Sequence, residues 1–467
     1  MIQALLEKPQ ENTQFSFALK PQQQQALEVR AFLTSTESFF LLVGYAGTGK
    51  STIVFQIIKE LLTKSKRIAL TAPTNKAVGI LRKMAASQGI FGVDFLTIHQ
   101  LLGLGMVQKE QEKILSQTSL STLHLYDIIF LDECSMVGTQ LWSWIDRRFE
   151  RTLFNHRKLI LMGDPAQLNP VGEKRSPVFS ITNKTTLTEV VRQAGESPVL
   201  DFITECRSCV KNKTDMFLPH STYTQGNKSN GAFKVKSETL LQYALKTIKR
   251  EFTSNPDCFR ILCWTNKQVN YYNQALREQV YGQTAPRFIA GERLITKKPV
   301  MAPDCKTVIL PTSTEFTIKE VETSQHYGYR VWLLKIVTDD GLFRQIFALH
   351  ESENKRYQAE LKEKLKSAKR SGFLWRKYYW FKDDIFAEID NCFALTIHNS
   401  QGSTFDEVGL DINDILTRLL VGKEMSSKQK LKEYHRLLYV GTSRCRKRIL
   451  FVPPISSRVK LAIAKLA

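Results

Sequence analysis

Three short stretches carry residue types that could handle a phosphate together. The first, GYAGTGKST at residues 44–52, has the spacing G-x-x-x-x-G-K-[ST], follows an apolar run and opens a helix-like stretch. In that setting the backbone N–H groups of Ala46, Gly47, Thr48, Gly49 and Lys50 can cradle phosphate oxygens, and the helix start adds a favourable dipole. Gly44 opens the loop and Thr52 ends it. The Lys50 ammonium can reach the β- and γ-phosphates of a nucleoside triphosphate, and the Ser51 hydroxyl can ligate Mg²⁺.

The second stretch is the acidic pair that closes YDIIFLDE at 126–133. Asp132 fits the metal-holding acid of such a site, acting through water, and Glu133 is placed to orient or deprotonate the attacking water. The competing reading, a surface acidic pair that caps a helix, leaves the upstream phosphate loop without its metal acid. Hydrolysis of ATP, or another nucleoside triphosphate, with Mg²⁺ is therefore expected. The third stretch, GDPAQLNPVGE at 163–173, follows the apolar KLILM and puts Gln167 at another strand's end. An amide there can hydrogen-bond a phosphate or a water without competing for the metal.

These tips need a scaffold that gathers them. Short apolar runs, FFLLVG (39–44), RIALTAPT (67–74), YDIIFLDE (126–133) and KLILMGD (158–164), alternate with helix-like stretches such as STIVFQIIKELLTK (51–64). The later runs RILCWTN (260–266), CFALTIH (392–398) and RILFV (448–452) form a second set. Alternation of this kind predicts parallel α/β sheets with ligand groups at the strands' carboxyl ends. Two tracts interrupt it: residues 100–125, and residues 296–388, where EFTIKEVE, YRVWLLKIV and FRQIFAL suggest a small β-barrel followed by a charged, helix-prone tract.

The chain has 467 residues, too many for one ordinary core, and a formal charge of +21 from 66 Lys+Arg against 45 Asp+Glu. That surplus points to a polyanionic partner. No apolar run reaches membrane-spanning length, and no signal peptide is read at the N-terminus. Eight scattered cysteines include one CxxC, Cys206–Cys209, with no second pair at zinc-site spacing, so reduced thiols in a cytoplasmic or nucleoid-associated protein are expected.

The order of the blocks resembles superfamily 1 helicases, specifically the 5′-to-3′ superfamily 1B group of Dda/RecD-like DNA helicases, from about residue 19 to residue 452. The resemblance implies two RecA-like parallel-sheet domains. The first is 1–99 with 126–190, carrying a pin at 100–125. The second is 191–295 with 389–467, carrying a β-barrel and tower at 296–388. It gives Gln23, in LKPQQQQAL, the role of reading adenine, and assigns Gln167 to motif III, between the nucleotide and the DNA groove. Arg192 in LTEVVRQ and Arg444 in YVGTSRCRKR become the arginines that reach the γ-phosphate from the second domain, with Arg446 and Arg448 as competitors for the latter role. Pro73, Thr74 and Asn75 of TAPTNKA, His99 of TIHQLLG, and Thr396, His398, Ser400 and Gln401 of ALTIHNSQGSTFDEV become strand contacts. Gly402 lies near phosphate or strand.

Two departures from the family pattern stand out. Asn399 replaces a lysine, which removes one cation, and Tyr45 replaces a proline, which is expected to change loop stiffness rather than chemistry. The tract KLKSAKRSGFLWRKYYWFK (364–382) interleaves seven basic residues with aromatics. Trp375 is the stacking candidate within it, against the alternative that these aromatics form the insertion's own core; Trp380 or Phe381 could brace the first insertion. The function expected is ATP-dependent, 5′-to-3′ translocation on single-stranded DNA with unwinding of forked duplex, by a monomer, with replication or recombination proteins as partners and no membrane. An RNA helicase, a protein-displacing translocase, and an ATP-regulated binding scaffold remain as alternatives.

Overall fold

Val-, Ile-, Leu- and Phe-rich runs of four to six residues are buried on both faces, which suits parallel strands sandwiched between helices. In the computed structural model, residues 28–466 are described apart from 46, 110–111, 151–156, 189–196, 213–214, 225–226, 305–306 and 423–424. The first sheet uses β1 (Phe39–Gly44), β2 (Ile68–Ala72), β3 (Asp94–Thr97), β6 (Ile128–Leu131), β7 (Lys158–Gly163) and β8 (Lys184–Leu187). All pairings are parallel, in the order β3-β2-β6-β7-β1-β8. The strand that leads to Gln167, β7, thus lies between the strand of the phosphate loop and the strand of Asp132. Between β3 and β6 the chain forms the antiparallel hairpin β4 (Leu104–Lys109) and β5 (Glu112–Gln117).

The second sheet has β9 (Thr222–Thr224), β10 (Asn227–Lys234), β11 (Phe259–Cys263), β19 (Ala394–Thr396), β20 (Phe405–Asp411) and β21 (Cys445–Val452). Its order is β19-β11-β20-β21-β10-β9, parallel except for the edge pair β9/β10. Inserted between β11 and β19 is a five-stranded antiparallel sheet, β17-β16-β15-β12-β18. It comprises β12 (Arg293–Thr296), β15 (Glu315–His326), β16 (Tyr329–Thr338), β17 (Phe343–Leu349) and β18 (Ile389–Asn391); β13 (Val300–Met301) and β14 (Val308–Leu310) pair beside it. The sheet curls far enough for the Ala387 N–H to donate to the Phe347 carbonyl, around a core that includes Leu294, Phe316, Ile318 and Ile336. It starts at Arg293 and ends at Asn391, a few residues outside the 296–388 expected from sequence, because β12 and β18 pair with each other and extend β15.

The basic–aromatic tract folds as helices Asn354–Ala368 and Trp375–Tyr379 with a wide turn at Trp380–Asp384. Its aromatics are buried or half-buried, except Phe373, which is exposed. Phe381 packs with Tyr329, Val331 and Ile385, and Trp380 lies edge-on to Tyr327, so both brace their own insertion. No helix among the described residues is long and apolar enough to cross a membrane.

Candidate nucleotide site and strand track

The phosphate loop joins β1 to the helix Lys50–Leu62. Gly47 and Gly49 adopt φ of 83° and 81°, a left-handed geometry that side chains resist. Lys50 Nζ donates to the carbonyls of Gly44 (2.6 Å) and Tyr45 (3.1 Å), and the Thr48 hydroxyl also donates to the Tyr45 carbonyl (2.9 Å). Ser51 is half-buried at the helix start, whereas Thr52 is exposed on its first turn. Three expected site residues, Gln23, Ala46 and Arg192, lie outside the described residues.

Asp132 and Glu133 stand at the tip of β6. The Glu133 N–H donates to Asp132 Oδ1 (2.8 Å), and Glu133 itself has φ 52°, a strained backbone for a residue with a side chain. Burial pushes the Asp132 carboxyl up, opposed by Lys50 and Arg444; burial and the Asp132 charge push Glu133 up to about 7. A carboxyl poised there can trade a proton with water near neutrality. Arg444 ends the helix Ser427–Ser443 of the second sheet, is buried, and acts electrostatically on both carboxyls from across the cleft. Its guanidinium is held by the carbonyls of Val440 and Ser403 and by the Ser443 hydroxyl. The two competing arginines are engaged elsewhere: Arg446 with Asp406 (3.2 Å), and Arg448 with Glu407 (3.6 Å) and Tyr243.

Gln167 is 5% exposed, and its Oε1 is buried without a hydrogen-bond partner. A buried acceptor left unsatisfied costs free energy, so this atom is aimed at something the protein itself does not supply. The backbone around it is tied across the cleft: Arg436 donates to the carbonyls of Pro165 (2.9 Å) and Gln167, and the Tyr439 hydroxyl donates to Asp164 Oδ2. Arg436, Tyr439 and Asp164 were not singled out from sequence. Their nearness to Gln167 depends on how two sheets dock, which no local spacing encodes.

The expected strand contacts divide. Asn75, His398 and Asn399 are exposed, and Pro73 is half-buried. Thr74 caps the helix Asn75–Ser87 by accepting from the Ala77 N–H, His99 bonds the Pro73 backbone, and Thr396 accepts from the Asn399 N–H. Gln401 is buried, with Nε2 unpartnered. Two expectations are corrected. Ser400 is fully buried and its hydroxyl donates to Ile397 (2.8 Å), so its side chain stabilises the turn and does not face a strand. Trp375 is 8% exposed, packed with Ala368 and Tyr378 and stacked on Tyr379, which leaves no open face for a base. Gly402, at φ 76°, packs on Ala77 of the first sheet's helix, where an added Cβ would come within 3.3 Å. It is thus a close interdomain contact. Beside it a cavity of about 930 Å³ opens between the helix Asn75–Ser87, the antiparallel sheet and residues 443–446; Asn75, Lys83, Thr404 and Arg446 line it, and none of Lys50, Asp132 or Glu133 does.

A phosphate loop, a carboxylate pair, an intervening strand with a polar tip and an arginine from a second parallel sheet define a two-domain, RecA-like P-loop protein. An AAA domain model matches residues 18–208. The ATP-dependent DNA helicase Dda of Enterobacteria phage T4 is 26% identical over 442 residues, covering 88% of this chain and 93% of that one. An uncharacterised protein of Acanthamoeba polyphaga mimivirus is 24% identical over 488 residues, covering 90% and 96%. A solved Pif1 helicase, from work on unwinding at forked duplex DNA by two coordinating Pif1 helicases, shares the fold with a TM-score of 0.51 at 16% identity, covering 96% of this chain and 97% of that one. The chain is a relative of the superfamily 1B helicases of the Dda/RecD group, as its motif order indicates.

Proposed function

We propose that this protein is an ATP-dependent DNA helicase that moves 5′ to 3′ on single-stranded DNA and opens forked duplex. The observation that carries the reading is the position of Arg444. It ends a helix packed on the second sheet, yet its charge acts on Asp132 and Glu133 at the tips of the first. Hydrolysis then depends on the two sheets being closed, and a closing cleft is what alternating grips on a strand require. Similarity to Dda, a DNA helicase, over most of both chains supports the substrate.

In this reading Lys50 and the loop N–H groups hold the triphosphate, Gln23 reads the base, and Glu133 takes the proton from the attacking water. Gln167 Oε1 accepts from that water, while Arg444 and Arg192 balance charge on the γ-phosphoryl group. The Ser51 hydroxyl and the Asp132 carboxylate are oxygen donors of the kind Mg²⁺ prefers and would hold it, and the ion would supply neutralisation of phosphate charge. Pro73, Thr74, Asn75, His398 and Gln401 face the strand with the exposed basic surface. The domain division is 1–99 with 126–190, and 191–295 with 389–467, the hairpin at 100–125 acting as the pin and the 296–388 insertion lying above the strand. The protein works as a monomer in a cytoplasmic or nucleoid setting, beside replication or recombination proteins.

A forked duplex with a single 5′ or 3′ tail tests the whole reading. Unwinding from the 5′ tail only, dependent on ATP and Mg²⁺, is expected. Unwinding only from the 3′ tail overturns the polarity, and stronger ATPase stimulation by RNA than by DNA overturns the substrate.

A further inference from the structure

Tyr45 belongs to the phosphate loop of the first sheet, but its ring is packed elsewhere. It is 5% exposed and joins the apolar core of the second sheet with Val199, Phe202 and Ile203 of the helix Pro198–Asn212. Ala166 and Leu168, the neighbours of Gln167, enter the same core. Two cations on one face of that helix approach the Tyr45 ring: Arg207 Cζ and Lys211 Nζ each lie 4.4 Å from its centroid. An aromatic face attracts cations most strongly when partly screened from water, as here. The same residue's carbonyl receives the Lys50 ammonium and the Thr48 hydroxyl. Tyr45 therefore touches the phosphate-binding lysine through its backbone and the second sheet through its side chain. A proline at this position has no ring face to offer.

We propose that Tyr45, Arg207 and Lys211 form a clamp by which the second domain positions the phosphate loop, so that the docking of the two sheets sets the affinity for ATP. These are positioning residues: Arg207 and Lys211 act through the Tyr45 ring, and the ring acts through its own carbonyl and the loop's shape. Ala166 and Leu168 place the γ-phosphate reporter under the same control, because the loop around Gln167 is anchored in the core that Tyr45 enters. Loosening the clamp weakens ATP binding more than it slows turnover at saturation. The inference rests on the ATPase reading above.

A double-mutant cycle on the full chain tests it, with KM for ATP and kcat measured in saturating single-stranded DNA. Tyr45→Leu keeps an apolar plug but removes the π face, and Arg207→Ala removes one cation from the half-exposed side of a helix. Each is expected to raise KM about threefold to tenfold with kcat within about twofold, from the worth of a partly desolvated cation–π contact. The double variant is expected to match the worse single one, since the two changes break one interaction. Tyr45→Phe, which keeps the ring, is expected to match the parent. Multiplying effects in the double variant, or a parent-like KM in Tyr45→Leu, overturn the clamp. Lys50→Ala is run alongside: if it retains turnover, the ATPase reading falls, whereas a failed cycle with an inactive Lys50→Ala sinks the clamp alone. Thermal melts of each variant separate loss of fold from loss of positioning, and Arg207→Ala paired with Lys211→Ala repeats the test without touching the loop.

Discussion

The Tyr439 hydroxyl donates a 2.5 Å hydrogen bond to Asp164 Oδ2, joining the helix that ends in Arg444 to the loop that carries Gln167. Both residues are fully buried, and one turn earlier Arg436 grips the same loop by its carbonyls. Asp164 also accepts from the Ala166 N–H (2.8 Å), so one carboxylate fixes the loop and receives the partner domain. The arginine and the glutamine expected to touch the γ-phosphate are therefore mounted on a shared joint.

Tyr439→Phe tests that joint. It deletes a hydrogen bond to a buried carboxylate and leaves the ring, so a loss of about 2 kcal/mol in unfolding free energy is expected. Turnover in the presence of single-stranded DNA should fall as well, because Arg444 and Gln167 lose their common reference. Denaturant midpoints and DNA-stimulated ATPase rates read the two effects. A variant that loses stability but keeps full stimulation shows the bond to be structural only.

Glu133→Gln removes the group expected to take the water's proton while keeping its size. A fall in kcat of about 10²–10⁴ is expected, with nucleotide affinity retained, because Lys50 and the loop are untouched. Single-turnover hydrolysis and equilibrium binding of a fluorescent ATP analogue check it. Unchanged turnover removes Glu133 from the chemistry.

Gln167 makes a sharper case. Replacing it by Ala removes the unpartnered Oε1, and about tenfold slower hydrolysis is expected, in the range of one lost transition-state hydrogen bond. Gln167→Glu puts a third carboxylate beside Asp132 and Glu133 and should be slower still, by repulsion of the phosphate. The discriminating measurement is base pairs opened per ATP consumed. If Gln167 reports the γ-phosphate to the strand-binding side, that ratio falls in both variants, whereas a purely catalytic role lowers the rate and leaves the ratio alone.

How much of this was legible in the sequence depends on what is local. The phosphate loop, Asp132, Glu133 and Gln167 sit at the ends of apolar strands, so their chemistry and their side of the sheet follow from a few adjacent residues. That β7 lies between β1 and β6 was not legible, since strand order is set by crossovers and packing; yet this order is what sets the Gln167 loop between the other two tips. Tyr45 looked like a change in loop stiffness and proved to be an anchor in the other domain. Trp375 and Ser400 carried the right chemistry for a strand but faced inward, because an aromatic-rich helix pair needs a core and a tight turn needs its hydroxyl. The 296–388 insertion was readable as strands by alternation, but its edges were not, since β12 and β18 earn their place by pairing with strands far along the chain.

A buried ionic network links the helix after Pro73–Asn75 to the inserted sheet. Glu315 accepts from Arg260 (2.6 Å), Arg293 (3.0 Å) and, across from the first sheet, Lys76 (3.4 Å), while Arg293 also holds Asp339 (2.7 Å). Burial alone raises a carboxyl, but Arg260, Lys76 and Arg293 outweigh it and hold Glu315 at about 2 against an ordinary 4.5. A carboxyl depressed in the folded state stabilises the fold above its unfolded value and loses that contribution as pH falls toward its folded one. The difference corresponds to roughly 3 kcal/mol, fully present above about pH 5 and lost between pH 4.5 and 2. Glu315→Gln should flatten this part of the acid-stability curve. It should also cost about 3–5 kcal/mol at neutral pH, because Arg260, fully buried, is left without its partner. Lys76→Met removes the first sheet's contact with Glu315 and keeps Arg260 and Arg293 paired. A small stability change is expected there, together with weaker single-stranded DNA binding, since the helix that begins at Asn75 keeps only the exposed Lys83–Asp339 pair (4.0 Å) as its ionic tie to the insertion. If Lys76→Met binds DNA as the parent does, the network serves the fold of the second domain alone.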